Sequence, residues 1–200
     1  MHAPRSLLAL ALPGVLALAG CLRGDPLEWK VRAPNPRALF SWRMTVDSAM
    51  GVENCRRLNE ALQEIRLNVA AGRAVDRWLG QAVRPSMDDI EEAMCRRVHD
   101  QSLRTVLQLG CELRVIRLKE ELAALENAVK VNAELITKPG DVDSRHFLEG
   151  FRERQGARAA KCRADLANAE RELAPLLRAG GRRLLEPSTD QMGEVVAKPR

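Results

Sequence analysis

The sequence predicts an all-α protein: an elongated antiparallel helical bundle or coiled-coil hairpin of three main helices, with a short fourth helix around residues 75–83. Apolar residues recur every three or four positions through most of residues 47–179, which is the spacing of one helix face. Abundant Ala, Arg and Leu are typical of coiled coils. Oppositely charged residues four apart mark the solvated faces. These pairs are Glu53 with Arg57, Glu92 with Arg96, and Glu126 with Lys130.

The first main helix is expected to begin at Asp47 or Ser48, since either side chain can cap a helix N-terminus. Gly72 and Gly80 weaken the apolar pattern that follows, and Pro85 closes the segment. The apolar stripe of this helix has spacings of three and four and consists of Cys55, Leu58, Leu62, Ile65 and Val69.

The second helix is predicted to start at Ser86 and to be the longest element, because no proline occurs before Pro139. Asp88 and Asp89 place negative charge where the helix dipole favours it. A change in the phase of the stripe predicts a stutter or kink at Gly110 or within residues 103–109. The stripe consists of Met87, Ile90, Met94 and Val98, and then Cys111, Val115, Leu118, Leu122, Leu125 and Val129.

The third helix is expected from about Val142, after a turn at Lys138-Pro139-Gly140-Asp141. Pro175 should end or bend this helix, because proline lacks the amide hydrogen and clashes with the preceding turn. Residues 180–200 are predicted to form a flexible tail. The stripe of the third helix consists of Phe147, Leu148, Phe151, Ala159, Cys162, Leu166, Ala169 and Leu173.

The N-terminus indicates export. A positively charged start precedes an apolar run at residues 7–19, which is shorter than the roughly 20 residues that span a bilayer and is typical of a secretory signal. Leu18-Ala19-Gly20-Cys21 resembles the lipobox of bacterial lipoproteins. That resemblance covers about 21 residues and implies that residues 1–20 are removed, that the Cys21 thiol carries a diacylglycerol, and that the new amino group is acylated, for instance with palmitate.

The same resemblance predicts where the chain is attached. Leu22 follows the cysteine where an Asp would favour retention in the inner membrane, so the expected location is the periplasmic face of the outer membrane. Residues 21–46, with Pro26, Pro34 and Pro36, are predicted to be a tether that lifts the helical domain (47–179) off the lipid. The alternative is a secreted protein in which Cys21 pairs or stays free.

Four cysteines follow Cys21, and an even number in an exported protein favours disulfides. Cys95 and Cys111 lie on one predicted helix about 24 Å apart, too far to be bridged. The midpoint of 55 and 95 is 75, and that of 111 and 162 is 136.5, both near predicted connections. The predicted disulfides are therefore Cys55 with Cys95 and Cys111 with Cys162. Four buried thiols remain the alternative, and the lack of a Cys-x-x-Cys spacing disfavours a metal site.

Composition and motifs favour a binding role over catalysis. The chain has three Trp, three Phe, no Tyr and three His, and we find no nucleophile, metalloprotease or phosphate-binding motif. We therefore expect no enzyme activity, no cofactor and no metal. We also expect no nucleic acid partner, because the net charge of +5 is spread over helix surfaces. The expected partners are the membrane, through the lipid, and an envelope protein.

Two functions remain open at this point. The first is a structural, assembly or protein-interaction scaffold of the cell envelope. The second is a ligand-binding or inhibitory module of the periplasm. An exposed apolar helix face would favour the first function, whereas a concave pocket would favour the second.

Overall fold

The computed structural model describes residues 24–75, 86–137, 142–180 and 183–185. This part of the chain is helical, with one isolated bridge between Lys30 and Ser102 and no strand, so the all-α prediction is confirmed. None of the described helices is long and apolar enough to cross a membrane. After a short 3-10 turn at Pro26–Glu28, the helices are α1 (Pro36–Met50), α2 (Val52–Val75), α3 (Met87–Val98), α4 (Leu103–Ile136) and α5 (Val142–Gly180).

Four sequence predictions lie outside the described residues: the signal peptide with its lipobox, the main part of the short helix at 75–83, the turn at 138–141, and the tail after residue 185. The chain forms two compact units, 1–107 and 108–200, and the boundary falls within α4.

Helix α1 includes residues 36–46 of the segment that was predicted to be a tether, which corrects that prediction. Asn35 caps the helix, since its Oδ1 accepts a hydrogen bond from the Ala38 amide at 2.9 Å. Pro36 stands at the first helical position, where its fixed φ fits and its missing amide hydrogen costs nothing. Gly51, at φ 78°, then separates α1 from α2. The start predicted at Asp47 or Ser48 therefore lies inside α1, and the apolar stripe predicted for that helix lies on α2, which begins at Val52.

Helices α1, α2 and α3 pack against one another in the first unit. An ion pair between Arg66 and Glu91 at 2.6 Å and a hydrogen bond from Arg97 to Asn68 at 2.7 Å fix the level of α2 against α3. The central part of the predicted α2 stripe is confirmed as core. The buried apolar side chains of these helices are Leu39, Val46 and Met50; Leu58, Ala61, Leu62 and Ile65; and Ile90, Met94, Cys95 and Val98.

Helix α3 begins as predicted but ends early. Ser86 Oγ accepts from the Asp89 amide, and Asp89 Oδ2 accepts from the Ser86 amide, both at 3.1 Å, forming a capping box. The predicted long second helix is broken at residues 99–102, where Asp100 has φ 57°. Gly110 lies inside α4 and does not interrupt it, so the expected interruption occurs earlier. Ser102 starts α4 by accepting from the Thr105 amide at 3.2 Å.

The break in the helix receives the N-terminal strap, which we define as residues 29–33. The Val31 amide donates to the Gln101 carbonyl at 2.8 Å, and the Asp100 amide donates to the Val31 carbonyl at 2.9 Å. The Leu103 amide donates to the Trp29 carbonyl at 2.8 Å. The strap thereby satisfies backbone groups that the broken helix leaves without partners.

Side chains reinforce the strap at both ends. Arg104 pairs with Glu28 at 2.8 Å and with Asp25 at 3.3 Å, and Arg32 pairs with Asp100 at 3.1 Å. Val31 is fully buried. The residues from Asp25 onward are thus part of the folded unit and not a free tether.

Helices α4 and α5 form an antiparallel hairpin in the second unit. One apolar cluster joins them, and ion pairs cross between them, including Arg114 with Glu172 at 3.5 Å and Lys119 with Glu170 at 3.2 Å. The predicted stripes are confirmed over this stretch. The buried members of the cluster are Val115, Leu118 and Leu125 of α4 and Ala159, Cys162, Ala169 and Leu173 of α5.

Pro175 lies inside α5, which continues to Gly180, so the prediction that it ends the helix is wrong. Leu173 and Leu176, on either side of the proline, are 4% and 3% exposed. Burial of this face stabilises the last turn enough to offset the lost amide hydrogen bond.

A buried carboxylate holds the end of the described chain. Glu112 is 3% exposed. Its oxygens accept hydrogen bonds from the Gln108 side chain at 2.8 Å and from the backbone amides of Leu184 and Leu185 at 3.0 and 2.7 Å. Hydrogen bonds to an ionised acceptor are about twice as strong as neutral ones.

We predict that Glu112→Ala lowers the free energy of unfolding by about 1–2 kcal/mol, because it leaves two partly buried amides without their acceptor. Chemical denaturation measures the change. Glu120→Ala, at an exposed position of the same helix, is the matched control and should change the stability by less than about 0.5 kcal/mol. Equal stability of the two variants would show that this carboxylate does not hold residues 184 and 185.

Candidate functional site

The α4–α5 hairpin extends beyond its own apolar core. We call residues 126–137 and 142–158 the hairpin tip; they follow Leu125 on α4 and precede Ala159 on α5, which are the last buried apolar residues of the cluster. No apolar side chain of the described tip residues is buried. Instead the tip exposes four large ones: Val131 (44%), Leu135 (40%), Val142 (66%) and Phe147 (67%).

The heptad spacing explains why the core stops here. Leu118 and Leu125 are seven residues apart, and the next position of the series is Asn132. Asn132 is buried, and its amide donates to the Ala128 carbonyl of its own helix at 2.7 Å. A polar side chain at this core position removes one apolar layer between the helices. Val131 and Leu135 lie four residues apart on one face of α4, beside this stripe, and are exposed.

Phe147 was predicted to belong to the core stripe of the third helix, and its exposure corrects that prediction. Phe151, one turn later, is only half-buried. The sequence signal for the tip is the single Asn, Asn132, in an otherwise apolar heptad series. Val131 and Leu135 were not recognised as site residues.

A second candidate site is an open groove of about 460 Å³ between α1 and α2, the concave feature on which a ligand-binding function would depend. The Cys55 thiol lies in it and donates to the Asp47 carbonyl at 3.2 Å. Burial raises the pKa of Cys55, and the Asp47 charge raises it further, so this thiol is a poor nucleophile. The groove is lined by Asp47, Ser48, Gly51, Val52, Cys55, Arg56 and Asn59.

The charged groups that line this groove, Asp47 and Arg56, are already paired with neighbouring side chains, and Asp47 pairs with Arg43 at 3.5 Å. Arg56 pairs with Glu53 at 2.7 Å and with Glu60. The hydrogen bond from Arg56 lowers the pKa of Glu53. A ligand of either charge would have to compete with these pairs.

The described residues contain no group of three or more His, Cys, Asp or Glu side chains that could hold a metal ion. His99, four residues after Cys95, is used by the strap, because its Nδ1 accepts from the Ala33 amide at 3.2 Å. His146 pairs with Glu149 at 3.6 Å on an exposed face.

The predicted disulfide between Cys111 and Cys162 is not present, and the helix register explains its absence. The Cys162 thiol is buried and donates to the Leu118 carbonyl at 3.4 Å. The pairing of Arg114 with Glu172 places Cys111, three residues earlier on α4, near the level of residue 175, about 20 Å along the axis from Cys162. Disulfides need alpha carbons within about 7 Å.

The predicted disulfide between Cys55 and Cys95 is also absent. Glu91 of α3 pairs with Arg66 of α2, and Cys55 lies eleven residues before Arg66, about 16 Å along the helix. The prediction assumed a connection centred on residue 75, but α2 extends to Val75 and α3 starts at Met87. The centre of the connection between α2 and α3 is therefore near residue 81. As a result, the residue of α3 that faces a given residue of α2 shifts by about three turns of helix.

Comparisons with protein-family models, with curated proteins and with solved structures found no significant match to this chain. Its function is therefore argued from its own residues and contacts. The exposed tip and the docked strap are the two features that distinguish it from a closed helical bundle.

We predict that Cys95 in the folded protein reacts with iodoacetamide about a hundredfold more slowly at pH 8 than an exposed thiol. Burial raises its pKa to about 11, and only the thiolate reacts. Because the raised pKa keeps the thiol protonated, the rate should increase about tenfold per pH unit until the pH approaches that value. Peptide mass spectrometry after timed alkylation measures the rate.

The same experiment distinguishes thiols from disulfides. In guanidinium chloride without reductant, we expect Cys55, Cys95, Cys111 and Cys162 all to be alkylated. If the native protein required a reductant before these residues reacted, the disulfides would be present and the observed register would be wrong.

Proposed function

We propose that this protein is a lipid-anchored scaffold of the bacterial cell envelope, and that its hairpin tip binds an envelope protein. The single observation that carries the proposal is the tip itself: two helices continue past their shared core and expose Val131, Leu135, Val142 and Phe147. Several large apolar residues exposed within one short part of a folded protein are typical of interaction surfaces.

The form of the tip suits a protein partner. On α4 the tip extends about 16 Å from Leu125 to Ile136 at 1.5 Å per residue. Val131 and Leu135 are spaced as the anchors of a helix that lies in an apolar groove. Phe147 supplies the aromatic group that commonly dominates the binding energy of an interface. The expected partner therefore presents an apolar groove or a helical face.

The anchor is proposed from the lipobox at residues 18–21 and is supported by the strap. Asp25 and Glu28 are both held by Arg104, so a lipid on Cys21 would be joined to the folded unit by only a few residues. Attachment through several acyl chains is effectively permanent, since each buried methylene contributes about 0.8 kcal/mol. With Leu22 next to the cysteine, the proposed location is the periplasmic face of the outer membrane.

We predict that Cys21→Ala abolishes incorporation of an alkyne-labelled fatty acid and releases the protein from the membrane fraction. Cys55→Ala, which removes a thiol of the folded unit, is the matched control and should retain both label and membrane association. The readouts are in-gel fluorescence after click labelling and fractionation of the native host. An unmodified N-terminal peptide in the native protein, or its recovery from the cytosol, would disprove the anchor.

We predict that a photo-crosslinking amino acid at position 147 forms one discrete adduct in intact cells. Leu135→Ser should reduce the yield of this adduct by at least about fivefold, since an anchor residue contributes more than about 1 kcal/mol. Ile116→Ser, at a 41% exposed position of the same helix outside the tip, is the control and should leave the yield unchanged.

Thermal unfolding should show no difference larger than about 0.5 kcal/mol between Leu135→Ser and the wild type, because the side chain is exposed. This measurement separates lost binding from lost folding. The scaffold proposal fails if crosslinking from position 147 gives the same diffuse pattern as from Lys161, an exposed residue of α5 outside the tip.

A further inference from the structure

The second exposed apolar surface lies on α1. Leu39, Val46 and Met50 bury one side of this helix. On a second side, centred about 120° away around the helix, Phe40 and Met44 are 67% and 68% exposed. We call this side the α1 outer face; its exposed residues, which lie within about 100° of one another around the helix, are Arg37, Phe40, Ser41, Met44 and Ser48.

The α1 outer face has no unpaired negative charge. Asp47, the one carboxylate of the helix, borders this face about 20° from Phe40, but it pairs with Arg43 at 3.5 Å. Arg37 is exposed, and so is Lys30 of the strap just before the helix. The surface therefore combines an aromatic ring, a thioether and cations, as in helices that lie in the interface of an anionic membrane.

We propose that the α1 outer face lies against the surface of an anionic phospholipid bilayer, with Phe40 and Met44 at the level of the headgroups and Arg37 beside the phosphates. This inference rests on the proposed anchor at Cys21 and extends it, because it assigns the orientation of the first unit on the membrane.

The length of the chain before the strap favours the bilayer as the occupant. Cys21 is four residues before Asp25, which Arg104 holds at 3.3 Å. Four residues span at most about 14 Å. A lipid at Cys21 therefore keeps the first unit next to the headgroups, where even a weak surface contact is formed because the effective concentration of lipid is high.

The size of the surface argues against a protein partner at this position. Two apolar side chains among Ser41, Ser48 and Arg37 cover much less than the roughly 800 Å² per partner of a stable protein interface. The contact of a tethered helix with lipid does not require such an area, because the anchor already provides most of the binding.

The test uses the full lipidated protein in vesicles of phosphatidylethanolamine and phosphatidylglycerol that contain a phospholipid with a diazirine-bearing acyl chain. After flotation and irradiation, tryptic peptides are analysed by mass spectrometry. We expect adducts on peptides 38–43 and 44–56, which contain Phe40 and Met44, at a yield about fivefold above peptide 164–171 of α5.

Two variants test the contact without removing the anchor. Phe40→Asp and Arg37→Gln should each reduce adducts on peptide 44–56, which neither change alters, by about fivefold, the factor that one charge contributes at an anionic surface. Ile116→Asp, which changes an exposed apolar side chain of α4 outside the hairpin tip, is the control and should leave the yield unchanged. All variants should still float with the vesicles.

Each outcome has a separate meaning. If the protein floats but adducts are spread evenly or are found on peptides outside α1, the orientation is wrong and the anchor stands. If the protein does not float and its N-terminal peptide is unmodified, the anchor is wrong, and this inference fails with it.

Discussion

The backbone hydrogen bonds between the strap and the break after α3 are the interaction on which the first unit depends. In a continuous helix the amides of Asp100 and Leu103 would bond within the helix, and the carbonyls of Trp29 and Val31 would have no partner. Instead these groups bond to one another at 2.8–2.9 Å. The left-handed conformation of Asp100 costs on the order of 1–2 kcal/mol, which the added hydrogen bonds and the pair with Arg32 offset. The break and the strap thus stabilise each other, and the end of the strap determines where α1 begins.

The sequence predicts the helices that their own residues determine. The all-α class, the capping box at Ser86 and the core positions of α2 and the hairpin all follow from spacing and local polarity. The break at residues 99–102 does not, since it contains neither Pro nor Gly and exists because a segment about seventy residues earlier binds there. Helix α1 did carry a local signal, Asn35 followed by Pro36, which is a cap and a first helical residue. The three prolines of residues 21–46 favoured an extended chain, and this interpretation outweighed the local helix signal.

Side-chain exposure and cysteine pairing were predicted less well, because both depend on what lies opposite a residue. A stripe shows which face of α5 turns inward, but whether Phe147 is covered depends on the partner helix, where Asn132 interrupts the apolar series. Similarly, an error of about six residues in the centre of one connection moved the expected partner of Cys55 by twice that number. Local sequence rules therefore predict the helices well. The exposure of the tip and the surroundings of the thiols depend in addition on the register between helices, which local rules do not give.

The strap also determines how the protein bears mechanical load. Tension applied ahead of residue 24 reaches Asp25 and Glu28 first, where the Arg104 guanidinium resists it. It then reaches the backbone bonds of Trp29 and Val31, and only afterwards the first turn of α1. Stress from a moving point of attachment would thus be absorbed at the edge of the bundle. The strap would detach reversibly under load before any helix is pulled out of the core.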